Sequence, residues 1–462
     1  MPNAPTPASK PGLLRQLGLF SATALVISNM IGTAIFGSTG FMAGDLGSAS
    51  LILACWAAGA LFAFAGALSY SELGINFPSS GGEYVYLTRA YGPEWGFMTG
   101  WVSFFAGFSA PIATAALAFS DYLGWFFPSL QQANAPVVVG SGEFSFRIGP
   151  GQLAAAVLIA GFTALNCFGI GRTAKVQNVL TTTKILVICA FLLLGFTAGT
   201  GSWGHFSEPA VRTSHLSLST QFVVSLLWVM FGYSGWNAAT YVAEEVRRPE
   251  RTLPQALAIG TGIVAVLYLL LNVIYIYATP LENMKGVIAV GSVAASNLFG
   301  PRVGGLFSAL LAICIISTVN AEITIGPRVY YAMAKNRAFF HAAASVHPRW
   351  HTPVVAILAQ GACAILMTVT PFPQLVIYIG MSLTLFTVLS VASLFVFRRT
   401  CPGWQRLGAL EFGWPVIPIL YIAVGTCMMV YGVISHPPAS LSAFATVGLG
   451  ALVYRLFIRA RD

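Results

Sequence analysis

The sequence predicts an all-α integral membrane protein that crosses the bilayer twelve times, and three observations lead to this prediction. The chain of 462 residues is 56% hydrophobic and only 8% charged, whereas soluble domains carry about 25% charged residues. Apolar segments long enough to span a membrane recur along nearly the whole chain. The basic residues gather in alternate loops, as they do when successive helices reverse direction across a membrane.

Twelve segments have the roughly 20 mainly apolar residues that a transmembrane helix needs. They lie at about 17–42, 50–74, 94–127, 151–170, 177–199, 219–243, 255–279, 303–334, 353–371, 374–397, 413–433 and 440–459. Residues 1–16 precede them, are rich in proline and carry Lys10 and Arg15. We expect this segment to be a cytoplasmic tail and not a cleaved signal peptide.

The positions of the 23 Lys and Arg residues predict the orientation of the chain. When the N-terminus is placed in the cytoplasm, Lys184 falls within a span and nearly all the other basic residues lie on the inner side. The outer loops then contain only Arg147, Arg212, Lys285 and Arg302. This bias predicts a multi-pass protein of the cell inner (plasma) membrane with both termini in the cytoplasm. It also explains the pI of about 9.3 without a nucleic acid partner.

The first predicted helix contains an unusual stretch, SNMIGTAIFGSTG, in which Gly32, Gly37 and Gly40 alternate with hydroxyl side chains. Glycine inside a helix costs about 1 kcal/mol relative to alanine. Backbone groups freed inside a bilayer must face protein or a water-filled cavity. For this segment alone two interpretations are open: a functional break in the helix, or close helix packing through small residues.

The sixth predicted helix repeats the pattern in FGYSGW, where Gly232 and Gly235 flank Tyr233 and Ser234. Paired interruptions in corresponding helices are the best sequence indication of a transporter site. An odd number of helices per repeat also forces two copies into opposite orientations. We therefore predict discontinuous helices 1 and 6 and two inverted repeats, 17–199 (spans 1–5) and 219–397 (spans 6–10), followed by spans 11 and 12 at 413–459.

The ends of such broken helices suit a free amino acid. Unpaired N–H groups at the start of a half-helix carry partial positive charge and attract a carboxylate. Unpaired carbonyl groups at the end of the preceding half-helix attract an ammonium group. Neither break contains a charged residue, so the backbone of the substrate would be bound by helix ends, and its side chain would enter a separate pocket.

Three stretches carry a family resemblance: IGTAIFG at 31–37, FGYSGWNAATYVAEEVRRPERTLP at 231–254, and STVNAEITIGPRVYYAMAKNR at 317–337. Together they resemble the amino acid–polyamine–organocation (APC) superfamily of transporters, and within it the L-type amino acid transporter family and its bacterial relatives. The resemblance covers nearly the whole chain and implies a LeuT-like 5+5 inverted repeat with spans 11 and 12 at the periphery. Ala34 replaces a glycine that is usual in the family, which leaves the fine specificity open.

The resemblance implies a substrate site at the two breaks. The residues so implied are Ile31, Gly32, Thr33, Ala34, Ile35, Phe231, Gly232, Tyr233, Ser234 and Gly235. Thr33 and its neighbours would contact the substrate carboxylate, and the backbone near Ile31 and at 231–234 would take the ammonium group. Phe231 matches the aromatic residue that serves the family as a gate; an ordinary packing aromatic is the alternative.

Lys184 lies within span five, where a charged residue is a functional candidate by default. By resemblance it occupies the place where sodium-coupled relatives hold a cation, which implies transport without sodium. It would carry protons or bridge the first and fifth helices. The alternative is a lysine that reaches back to the membrane interface.

Two further acidic features have open interpretations. Glu322 lies in span eight, where an apolar or small residue is expected. It is a candidate to line the cavity and favour cationic substrates, to bind a proton, or to pair with a polar neighbour such as Asn320. Glu244 and Glu245, at the end of span six, would form a surface ion cluster or an inner gate.

The resulting hypothesis is sodium-independent secondary active transport of free, mainly neutral L-amino acids by alternating access, and the resemblance favours exchange. Proton-coupled symport and carriage of cationic amino acids or polyamines are the alternatives. A channel would need a filter or a ring of like charge, and no arrangement of catalytic residues indicates an enzyme. No cofactor is predicted, and the cysteine spacing indicates no metal site.

The expected partners are the amino acid substrate and the lipid bilayer, and no nucleic acid. Eukaryotic L-type members attach to an ancillary glycoprotein through a cysteine between spans three and four. Residues 128–150 contain no cysteine, so we expect no disulfide-linked glycoprotein.

Overall fold

A computed structural model describes residues 17–78, 81–141, 145–168, 170–335, 337–350 and 352–459. Within these residues ten helices are long and apolar enough to cross a membrane, and one bent pair of helices adds an eleventh span. The all-α membrane fold predicted from the sequence is therefore confirmed. The predicted N-terminal tail, 1–16, lies outside the described residues.

The first half of the chain forms spans one to five. Its helices are α1 (Leu19–Met30), α2 (Ala34–Leu46), α3 (Ala49–Asn76), α4 (Glu83–Tyr91), α5 (Pro93–Val102), α6 (Ala110–Leu123), α7 (Pro150–Cys167) and α8 (Ile170–Ala198). The pair α1 and α2 is the bent span, with an angle of 42° between the two helices. A π-helical turn, Ser103–Ser109, joins α5 to α6 in a single span. Gly92, at φ 104°, ends α4, and Pro93 then starts α5 at a position where its missing N–H costs nothing.

The second half contains the segments predicted as spans six to ten, followed by two more helices. Its helices are α9 (Leu218–Tyr233), α10 (Pro249–Ala278), α11 (Leu281–Met284), α12 (Val290–Phe299), α13 (Pro301–Lys335), α14 (Val354–Met367), α15 (Phe372–Thr400), α16 (Gly408–Phe412), α17 (Val416–Ser435) and α18 (Pro437–Val453). The segment predicted as span nine, 353–371, contains α14, which has only 14 residues and is too short to count as a span. The total of twelve spans therefore stays a prediction. The short helices α11 and α12 occupy a segment that the sequence analysis left between spans seven and eight.

The remaining regular structure lies in the connections. An antiparallel hairpin joins β1 (Val137–Val139) to β2 (Phe146–Ile148) in the loop before α7. Short 3₁₀ helices occur at Pro128–Leu130, Gln132–Asn134, Trp203–Phe206, Ala238–Glu245 and His341–Ala344, and a π-helical turn, Tyr454–Ile458, follows α18.

The spans differ strongly in how deeply they lie in the protein. In the spans Leu218–Ala243 and Phe372–Thr400, 78% of the most apolar stretch is buried, compared with 28% in α17 and 22% in Pro437–Ile458. Helices α1 and α3 pack against α10, α6 and α8 pack against α13, and α9 packs against α2, α3 and α15. The sixth span is therefore among the most deeply buried, and the last two spans are the least buried of those compared.

A buried ion pair joins α3 to the last turn of α15. Arg398 donates from Nε and Nη2 to the two carboxylate oxygens of Glu72, each at 2.7 Å. Trp404 Nε1 and the backbone N–H of Leu407 donate to the same carboxylate at 2.8 and 3.0 Å. Because Glu72 is fully buried, these four hydrogen bonds are what make its charge tolerable there.

Candidate functional site

The first helix breaks where the sequence predicted. Helix α1 ends at Met30, and α2 begins at Ala34. The side chain of Thr33 does not cap α2, so the first N–H groups of this half-helix are left for another acceptor. Of the three glycines that indicated a break, only Gly32 lies in it.

Gly37 and Gly40 fit the alternative interpretation, close packing through small residues. Both lie inside α2. A Cβ atom at Gly40 would collide with the carbonyl oxygen of Val287, between α11 and α12, and one at Gly37 would lie 3.1 Å from the ring of Phe372. These two glycines therefore let neighbouring segments approach the half-helix.

The sixth helix breaks at the predicted place as well. Helix α9 ends at Tyr233, Ser234 is extended, and the chain resumes as a 3₁₀ helix at Ala238. Gly235 has φ 93°, a conformation that residues with a Cβ atom rarely adopt. A Cβ atom at Gly235 would also lie 2.9 Å from the backbone of Asn29 in α1. The second break thus lies directly against the last turn of α1.

Both breaks face one cavity of about 170 Å³. Of the residues predicted for the site, those that line the cavity are Gly32, Thr33, Ala34, Phe231, Ser234, Gly235 and Glu322. Ile31, Ile35, Gly232 and Tyr233 are within the breaks or beside them but do not line it. The structure therefore brings together residues from both breaks and from span eight around one cavity.

Lys184 connects the first break to two other helices. Its Nζ donates to the carbonyl oxygen of Ile31 at 2.7 Å and to Thr318 Oγ1, on α13, at 3.2 Å. The side chain is 1% exposed. The alternative in which Lys184 reaches the membrane interface is therefore wrong.

A second side chain, which the sequence analysis missed, holds both breaks together. The hydroxyl group of Tyr268, on α10, lies 2.5 Å from the carbonyl oxygen of Met30 and 3.0 Å from that of Gly232. The expectation that these carbonyls are unpaired is thus wrong for Met30, Ile31 and Gly232, because protein donors already reach them. A tyrosine in an apolar helix gives no sequence signal of such a contact.

Asn320 and Glu322 face different surroundings on α13. Asn320 is fully buried, and its amide oxygen accepts a hydrogen bond from Asn166, on α7, at 3.2 Å. Glu322 lines the cavity instead. The side chains of Glu244 and Glu245, the candidate inner gate, lie outside the described residues.

The structure places a second acid, Glu83, in the cavity beside Glu322, and the sequence analysis did not identify it. Glu83 Oε1 accepts hydrogen bonds from Tyr70 Oη at 2.8 Å and from Asn237 Nδ2 at 2.9 Å. Burial raises the pKa of this carboxyl group, and the hydrogen bonds oppose that shift. Sequence reasoning missed Glu83 because it follows a Gly–Gly turn between two predicted spans and reads as a loop residue.

Stacked aromatic rings border a second, larger pocket. Phe41 stacks on Trp228 with a centroid distance of 4.9 Å and lies 6.0 Å from the ring of Phe372. Phe41 and Trp228 border a pocket of about 580 Å³, which Asp121 and Arg147 also line. None of these three rings lines the cavity of the two breaks.

Comparison with known proteins decides the family. The family model described as "Amino acid permease" matches residues 17–452. The chain belongs to the amino acid permease family. This permease is therefore a member of the APC superfamily, as the resemblance indicated, and a membrane carrier of amino acids.

Named relatives of the permease share about a quarter of its residues. It is 28% identical over 419 residues to the serine/threonine exchanger SteT of Bacillus subtilis (strain 168), which covers 89% of this chain and 90% of that protein. It is 27% identical over 452 residues to the human large neutral amino acids transporter small subunit 2, covering 96% and 80%. The mouse b(0,+)-type amino acid transporter 1 is 28% identical over 456 residues, covering 96% and 88%.

Proposed function

We propose that this permease exchanges free, mainly neutral L-amino acids across the cell inner membrane by alternating access and without sodium. The observation that carries the proposal is the single cavity onto which both broken helices open. Helix ends with uncapped N–H groups suit the carboxylate of an amino acid. The relatives named as an exchanger and as amino acid transporters support the same activity.

The contacts of Lys184 support transport without sodium. An ammonium group that already donates to the Ile31 carbonyl and to Thr318 neutralises the oxygen atoms that would otherwise attract a cation. A sodium ion placed beside it would meet a like charge at short range. We propose that Lys184 bridges the first break, α8 and α13 in place of a bound cation.

The two repeats, 17–199 and 219–397, each contribute one broken helix, and we propose that they move relative to each other during transport. In this arrangement Phe231 is the gate beside the substrate. We further propose that both termini are cytoplasmic. With no cysteine in residues 128–150, the permease would work without a disulfide-linked glycoprotein.

One observation favours a second candidate, carriage of cationic amino acids. Two carboxyl groups, those of Glu83 and Glu322, line the cavity, and no lysine or arginine does among the described residues. A positively charged side chain would find partners there, whereas an anionic one would be repelled.

Uptake into proteoliposomes tests the proposal. A labelled small neutral amino acid would be offered in sodium-free buffer to vesicles that are preloaded with unlabelled amino acid or left empty, with and without an inward proton gradient. Uptake that requires internal amino acid supports exchange. Uptake into empty vesicles driven by protons would show symport instead, and competition by arginine alone would show a cationic substrate.

A further inference from the structure

A groove on the surface of the protein is separate from the cavity of the two breaks. It has a volume of about 270 Å³ and lies between the hairpin, the end of α14 and the outer ends of α15 and α18. The outer side is the one on which the proposed topology places the hairpin. Among the described residues, none lines both the groove and the cavity of the breaks. The walls of the groove are mainly apolar and include Phe105, Phe146, Met367, Leu375, Pro438 and Ala439.

The groove runs along α18, from the outer end of the helix into the membrane. Pro438, Ser442 and Thr446 line it at intervals of four residues, which places them on one face of the helix. Between Pro438 and Thr446 the helix rises about 12 Å, most of the roughly 15 Å of hydrocarbon in one leaflet. Only 22% of the most apolar stretch of this span is buried, and Leu441 and Leu449 on the same helix are exposed. The groove is therefore continuous with a surface that faces lipid.

The polar groups of the groove match the layout of a phospholipid. At the deep end, the hydroxyl groups of Tyr378 and Thr446 lie 3.1 Å apart and pair with each other, so an apolar occupant leaves neither of them unpaired. The hydroxyl group of Ser442 donates to the backbone of its own helix. At the outer end, the side chains of Thr370 and Gln374 make no hydrogen bond to a described residue. They can donate to the ester oxygen atoms of a lipid.

The hairpin extends the apolar wall of the groove. Paired side chains of β1 and β2 share a face, and one face carries Val137, Val139, Phe146 and Ile148, each 45–55% exposed. Arg147, on the opposite face, donates from Nη1 to the carbonyl oxygen of Gln132 at 3.0 Å, and its backbone N–H donates to that of Val369 at 2.7 Å. Pro150 starts α7 two residues after β2, so the apolar face stays at the level of the helix ends.

From this arrangement we propose that the groove binds an acyl chain of an outer-leaflet phospholipid, and that the apolar face of the hairpin lies in the membrane interface above it. Contact with lipid removes the groove walls and the hairpin face from water, which is favourable for apolar surface. Gln374 and Ala439 also line the pocket of about 580 Å³, so the lipid lies directly beside that pocket. The inference concerns a site outside the cavity of the breaks and does not depend on which substrate the permease exchanges.

Photo-crosslinking in proteoliposomes tests the site. The reconstituted permease would be illuminated in vesicles that contain a phosphatidylcholine with a diazirine group in its acyl chain, and the labelled peptides would be identified by mass spectrometry. Peptides that contain Phe146 and Ser442 should be labelled more heavily than the exposed face of α7, which carries Leu153 and Val157. Equal labelling of all the lipid-facing helices would overturn the inference, because a bound lipid stays at its site longer than a passing one.

Two pairs of matched variants separate the groove from its surroundings. Ser442→Phe places a ring in the groove from an exposed position and should abolish the preferential labelling. Ala445→Phe adds the same ring to an exposed position of α18 that does not line the groove, and it should keep the labelling. Phe146→Ser removes a wall of the groove and should reduce the labelling, whereas Val138→Ser, on the opposite face of the hairpin, should not.

Preferential labelling that survives in Ser442→Phe, or that is lost equally in Ala445→Phe, would show that the inference is wrong. Cross-links from Phe146 to a second copy of the permease, in place of lipid, would also overturn it. If Ser442→Phe is not recovered folded, Ser442→Leu is judged by the same labelling. Labelling does not require transport, so this test and the uptake test of the proposed function fail independently.

Discussion

Lys184 and Tyr268 show how single side chains shape the breaks. Both donate to backbone carbonyls that a continuous helix would pair internally: Lys184 to Ile31, and Tyr268 to Met30 and Gly232. A buried carbonyl without a donor costs about 1–3 kcal/mol. These two side chains therefore stabilise an irregular backbone that the surrounding bilayer would otherwise disfavour.

Replacement of Lys184 by methionine tests its bridging role. The change removes the donor to Ile31 and Thr318, so the first break loses its fixed geometry. We expect sodium-free exchange to fall about 10-fold or more, in line with the loss of a charged hydrogen bond. Lys335→Met, at the exposed end of α13, is the matched control and should keep the full rate. Exchange at the full rate in Lys184→Met would show that the bridge is dispensable.

At this scale the sequence predicted residue types better than residue contacts. Lys184 was found because a charge within an apolar span is rare, and the rarity is visible in the sequence. Glu83 was missed because hydropathy assigns it to a loop, and only the folded chain brings that loop against Asn237. Tyr268 was missed because nothing about its neighbours in the chain distinguishes it from a packing aromatic.

The broken helices are the elements that define the site, and their glycines have different roles. Gly235 is required by its positive φ and by its approach to Asn29. Gly40 lies within an intact helix and makes room for a neighbouring segment. The spacing of the glycines in the sequence does not separate these roles. A glycine needed for a turn and a glycine needed for close packing have the same signature in a single sequence.

Gly235→Ala tests the second break. A left-handed backbone conformation costs a residue with a Cβ atom about 1–2 kcal/mol, and the contact with the Asn29 backbone adds to this. We expect a lower unfolding temperature of the purified permease and loss of exchange. Gly161→Ala, in α7, where a Cβ atom meets nothing within 4 Å, is the control and should not lower the unfolding temperature. Equal behaviour of the two variants would contradict this account of Gly235.

The Glu72–Arg398 pair predicts a large effect on stability. Arg398→Met would leave the fully buried carboxylate of Glu72 without its cation, and breaking a buried pair in this way typically costs about 3–5 kcal/mol. Thermal unfolding in detergent should show a marked drop. Arg406→Met removes an exposed guanidinium group, 60% of whose side chain is accessible, and should leave the unfolding temperature unchanged. A small effect of Arg398→Met would mean that water reaches Glu72.

For the whole molecule, the hydropathy pattern and the charge bias were sufficient to predict the membrane fold. The number of spans stays a prediction, because the segment predicted as span nine forms α14, which has only 14 residues. Helices α11 and α12 were not predicted, since short helices between spans lack the length that makes a hydropathy signal. The cavity depends on packing between distant helices, which a single sequence does not reveal.

The central claim is that two broken helices bind a free amino acid by its carboxylate and ammonium groups, and competition by analogues tests it most directly. Uptake of a labelled small neutral amino acid into preloaded vesicles would be challenged with the unlabelled compound, its carboxamide, and the acid that lacks the amino group. Loss of one charged hydrogen-bonding group should weaken competition by about 10-fold or more, so only the zwitterion should compete well. Equally strong competition by the carboxamide or by the deaminated acid would contradict the account.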